Sequence, residues 1–163
     1  MTKVFLVEFD VGGETYAKVC HWRPDGGDPV QFQQALIEFF IHLYQNYDKP
    51  RFTSPTILAA RWVVWSSGYD HPHSAMSTED IGVVSNERYV FADYVFTVQC
   101  QQPGGILGMP DVRCTEKNHN GGPDKPVYMQ PFRETLRQLE EEVTEPVEHS
   151  QPWGSPVTYN LHT

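Results

Sequence analysis

The chain has 163 residues, 39% of them hydrophobic and 13% aromatic, with 21 Asp+Glu against 12 Lys+Arg and a formal net charge of -9. That length favours one domain and suffices to bury a core without disulfides or a metal. Acidity runs along the whole chain, so no basic stripe exists to neutralise phosphates and direct nucleic-acid binding is disfavoured; no apolar run reaches the roughly 18 residues of a membrane span.

Residues 3–11 alternate, with Lys3, Phe5, Val7, Phe9 and Val11 on one face, and predict a strand. The chain enters this pattern directly, without the basic, apolar and small-residue order of a signal peptide, which predicts a cytoplasmic protein. Gly12-Gly13 is a hairpin signal, and residues 14–23 return as a second strand. Pro24-Asp25-Gly26-Gly27 then turns the chain.

Asp28 and Pro29 mark a helix start, the carboxylate as acceptor for a first-turn N–H and the proline as a residue suited to the first helical position. Phe32, Leu36, Phe39, Phe40, Leu43 and Tyr47 follow at helical spacing, and Ile37, Ile41 and Tyr44 widen the stripe. A face this broad must be covered by a sheet, by another subunit, or by both, and its apolar excess predicts self-association, most simply a twofold homodimer. Asn46, Asp48 and Pro50 end the helix.

Residues 56–66 alternate and read as a third strand, with Leu58, Ala60, Trp62 and Val64 opposite Ala59, Arg61, Val63 and Trp65. Residues 67–86 are polar, with Ile81, Val83 and Val84 as a short strand, and residues 87–100 read as a long fourth strand. The predicted fold is α+β: an antiparallel sheet of about four strands, in the order β-β-α-β-β, with one main helix packed on a face. Residues 1–100 form the core in this reading. Residues 101–163, rich in glycine and proline, form a loop-rich extension packed on it, with a second helix near 131–143.

No reaction motif stands out. No serine sits in a glycine elbow, and no Gly-Lys-Ser/Thr follows the glycine pairs, so neither catalytic residues nor a cofactor are assigned. Asp70, His71 and His73 could contribute to a metal site, but two imidazoles and a carboxylate do not dictate a closed set. Cys20-His21, Cys100, Cys114 and His119 would make a zinc site only by long-range convergence; buried small hydrophobes are the simpler reading of Cys20 and Cys100, and the odd number of cysteines speaks against a disulfide framework. Trp22, Arg23, Arg61, Trp62, Trp65 and Arg88 put guanidinium groups beside aromatics, the residue types that hold a planar anion by stacking and bidentate hydrogen bonds. The plain alternative is arginines snorkelling over sheet surface.

The run from Tyr16 to Gly27, followed by the helix and then Leu58-Ala59-Ala60-Arg61-Trp62-Val63, resembles small uncharacterised proteins of phage and mobile-element type. In those a strand ends in a His-Trp-Asp-Gly-like turn before a helix; this chain inserts Arg23-Pro24 before Asp25-Gly26. The resemblance implies a phage or mobile-element origin and brings no catalytic residues. Two readings lead: an acidic, non-enzymatic interaction protein that inhibits a host defence or nucleic-acid-handling protein, and a protein that sequesters a nucleotide-like ligand through the Arg–aromatic set. A metal-dependent enzyme and a virion component are the further alternatives.

Overall fold

The computed structural model describes residues 2–24, 26–67, 80–100, 108–127 and Arg137. Strands β1 (Lys3–Val11) and β2 (Glu14–Arg23) form the expected hairpin. Gly12 and Gly13 make its turn with φ of 60° and 84°, the left-handed region that a side chain would disfavour. Helix α1 (Pro29–Asn46) begins where the sequence marks it: Asp28 Oδ1 accepts from Val30 N at 3.0 Å and Pro29 opens the first turn.

Residues 56–66 do not form a strand. They lie within a second helix, α2 (Pro55–Ser66), which overturns the predicted third strand. Ser54-Pro55 repeats the sequence pattern of Asp28-Pro29 at its start, although the Ser54 side chain makes no capping hydrogen bond, and Leu58, Ala59, Trp62, Trp65 and Ser66 are its buried side. The segment is apolar nearly all round, so a period of two and a period of 3.6 fit it equally well.

With β3 (Asp80–Val84), β4 (Tyr94–Gln99), β5 (Asp111–Glu116) and β6 (Lys125–Pro126), the sheet among the described residues has six strands in the order β3-β2-β1-β4-β5-β6. It is mixed rather than antiparallel, because β1 and β4 run parallel. The glycine- and proline-rich region read as loop therefore supplies two strands, with β5 paired directly to β4. Of the helix expected near 131–143, only Arg137 is described, and it is helical; the rest lies outside the described residues.

Both helices cover one face of the sheet. Phe5, Val7, Phe9, Val19, Phe96, Val98, Val112 and Cys114 meet Phe32, Leu36, Phe39, Phe40, Leu43 and Trp62 in the main core. Burying each large side chain contributes roughly 1.5–3 kcal/mol. Phe32 sits at the centre, with ring centroids 5.0 Å from Phe5, 4.6 Å from Phe96 and 5.7 Å from Trp62. Ile37 and Ile41 are buried too, so the width of the α1 stripe is covered within the chain and does not by itself call for a second subunit.

The second face is closed by the chain between β3 and β4. Residues 87–93 are not the first half of a long strand, as the alternation suggested; they leave β3 through a turn closed by Arg88 N donating to Ser85 O, then cross beneath the sheet. Val90 and Ala92 turn inward and pack with Leu6, Cys20 and Val84 in a second cluster. Asp93 brings the strap back into the sheet. Its N–H donates to Val4 O, its Oδ2 accepts from Val4 N at 2.7 Å, and its carbonyl accepts from Lys117 N. Beyond it Phe96 and Val98 face the opposite side from Val90 and Ala92, although all four share one parity in sequence.

Candidate functional site

The six Arg and aromatic residues do not converge on one site. Trp62 is fully buried in the main core, where its Nε1–H donates to His21 Nε2 at 2.9 Å. Arg23 lies at the strand end with its guanidinium carbon 5.2 Å from the Phe5 ring centroid and 5.8 Å from that of Phe32, a cation closing the end of an aromatic core. Gly27, with φ of 145°, leaves room for it, since a side chain there would meet that guanidinium at 2.9 Å. Trp22 pairs with Val4 on the other face of the sheet and lies over Gly82. Arg88 is exposed in the strap, and its backbone carbonyl accepts from Lys18 Nζ at 3.4 Å.

Arg61 and Trp65 do come together, one helical turn apart on α2. They line a groove of about 260 Å3 between α1 and α2. Phe39, Leu43 and Tyr47 form the α1 side, with His42 among them, and Ala60 and Val64 complete the α2 side. Arg61 is held in place: its Nη1 donates to Pro50 O at 3.2 Å and its guanidinium carbon lies 4.1 Å from the Tyr47 ring centroid.

Asp70, His71 and His73 lie outside the described residues. The alternative metal set does not assemble: Cys20 belongs to the cluster beneath the sheet, His21 is bonded to Trp62 on the helix-covered side, Cys100 and Cys114 lie in the helix-covered core, and His119 stands at the surface. Among the described residues no three His, Cys, Asp or Glu side chains group closely enough to hold a metal ion. Burial pushes the thiol of Cys20 up to about 11 and those of Cys100 and Cys114 up to about 12. Such thiols are poor nucleophiles at neutral pH.

The outward side of the strap carries a feature that the sequence pattern showed only at Arg88 and Tyr89. Tyr89 is 76% exposed and Phe91 62% exposed, on either side of the inward Val90. Phe91 stacks on His119, with centroids 3.9 Å apart and planes 21° apart, and His119 Nε2 sits 3.4 Å from Asp93 Oδ1. Beside them, the hydrogen bond from Lys117 Nζ to Asp124 Oδ2 at 2.8 Å raises the lysine pKa; a bond from Asn118 N, and then that lysine, lower the pKa of Asp124. The sequence signal was there in the alternation of Tyr89 and Phe91 with Val90 and Ala92, but it was read as strand.

None of the protein-family models, curated proteins or solved structures compared with the chain matches it. No helix among the described residues is long and apolar enough to cross a membrane. The fold and site together define an α+β protein with one helix-covered sheet face and one strapped face bearing an exposed aromatic ledge.

Proposed function

We propose that the chain is a recognition module whose binding surface is the ledge of Tyr89 and Phe91. One observation carries this reading: two large aromatics stand exposed on a segment anchored at both ends, by the Ser85–Arg88 turn and by Asp93. Aromatic anchors of this kind dominate protein interfaces, because they bury much area at low side-chain entropy cost. The phenol and imidazole at the edges supply hydrogen-bonding groups for a polar rim. A net charge of -9 suits a basic partner and speeds its approach. A host defence or nucleic-acid-handling protein, as the phage-type resemblance implies, is the partner class this reading favours.

Affinity capture from host-cell lysate with wild-type protein and with Tyr89→Ser/Phe91→Ser tests it. The reading expects a basic protein retained by the wild type and lost by the variant, which stays folded and loses no more stability than the Phe91–His119 stack supplies. The same set of proteins captured by both would contradict it.

A further inference from the structure

We propose that the groove between α1 and α2 is a binding site for a small planar aromatic carboxylate. This site is separate from the ledge and rests on different residues. Its walls include Phe39, Tyr47, Trp65 and Leu43, flat or apolar surfaces suited to a ring. At its edge Arg61 carries five N–H donors, of which one bonds Pro50 O. The stack on Tyr47 fixes the plane of the guanidinium without neutralising it, and no described carboxylate pairs with Arg61.

A fixed guanidinium with no described carboxylate partner, beside an apolar concavity, is complementary to an anion with a ring attached. The planar fork of arginine matches a carboxylate in two parallel hydrogen bonds. Size narrows the class. At about 260 Å3 the groove is smaller than the roughly 300–1,000 Å3 of pockets for drug-sized ligands. One or two fused rings with a short acidic arm fit that space better than a base, sugar and phosphate together.

The test is a calorimetric and NMR titration of the whole chain with indole-3-acetate, with uncharged indole and AMP as comparisons. Indole-3-acetate is expected to bind saturably and to shift the signals of Tyr47 and Trp65, with indole and AMP at least tenfold weaker. Arg61→Gln should weaken indole-3-acetate at least tenfold and leave indole unchanged. Ala60→Phe, which fills the groove from an exposed position, should abolish both. No saturation by indole-3-acetate up to about 10 mM, tenfold above a Kd of about 1 mM, overturns the proposal. Equal binding of indole, or binding that Arg61→Gln leaves unchanged, overturns it as well. Circular dichroism checks the fold of each variant, and if Arg61→Gln does not fold, the comparison of indole-3-acetate with indole on the wild type decides.

Discussion

The indole N–H of Trp62 donates to Nε2 of His21 at 2.9 Å, with both side chains fully buried. An indole nitrogen can only donate, so His21 must accept at Nε2 and carry its proton on Nδ1. This bond ties α2 to β2 inside the main core, with Phe32 edge-on to the imidazole at 5.0 Å. Replacing either partner strands the other. Trp62→Phe leaves a buried acceptor unpaired and is expected to cost about 1–3 kcal/mol, besides the lost ring volume. A double-mutant cycle with His21→Phe, read by urea unfolding, should give a coupling of about 0.5–3 kcal/mol. Strict additivity would mean that the bond contributes nothing.

The cysteines make stability sensitive to alkali. Unfolded thiols titrate near 9.0, whereas burial holds Cys20 to about 11 and Cys100 and Cys114 to about 12. Between those limits the folded state holds protons that the unfolded state has released, so the folded state loses stability as pH rises. Well below pH 9, where the unfolded thiols also keep their protons, these groups contribute no slope. Tyr94, raised by burial and by the nearby Glu116, acts in the same direction at higher pH. Unfolding midpoints measured from pH 7 to 11 should stay level and then fall, and Cys100→Ala/Cys114→Ala should make the fall shallower; an equally steep fall would contradict this account.

Asp93 fastens the strap to the sheet through the 2.7 Å bond from Val4 N to its Oδ2. Asp93→Ala leaves that N–H without its acceptor and is expected to cost about 1–3 kcal/mol. Asp93→Asn keeps an acceptor oxygen and should retain most of the stability. Hydrogen exchange at the Val4 amide reports the contact: it should quicken in the alanine variant and change little in the asparagine one.

How far the sequence could be read depended on whether apolar residues gathered on one side. In α1 the cap at Asp28 and the stripe from Phe32 to Leu43 agree, so both its start and its buried face were legible. In α2 Ile57, Ala60 and Val64 stay exposed while Leu58 and Trp62 are buried, so hydrophobicity alone could not tell a helix from a strand. The Ser54-Pro55 start, the same signature as Asp28-Pro29, was the decisive cue. Strand β5 was hidden because only Val112 and Cys114 in it face the core. Arg61 and Trp65 were recognisable as ligand-binding types, but their neighbours His42 and Tyr47 come from a different helix and depend on tertiary packing.

The strap is what turns this fold into a candidate binding protein, because the residues that seal the second sheet face alternate with those it displays. An aspartate scan across Tyr89, Val90, Phe91 and Ala92, read as unfolding free energies, tests that most directly. A charge at Ala92, which is buried, or at Val90, which packs on the second cluster, should cost several kcal/mol by the general penalty for an unpaired buried carboxylate. A charge at Tyr89 or Phe91 should stay within about 0.5 kcal/mol, apart from the lost stack on His119. A large loss at Tyr89 and Phe91 with little at Val90 and Ala92 would mean that the strap faces the other way, and the proposed binding surface would not exist.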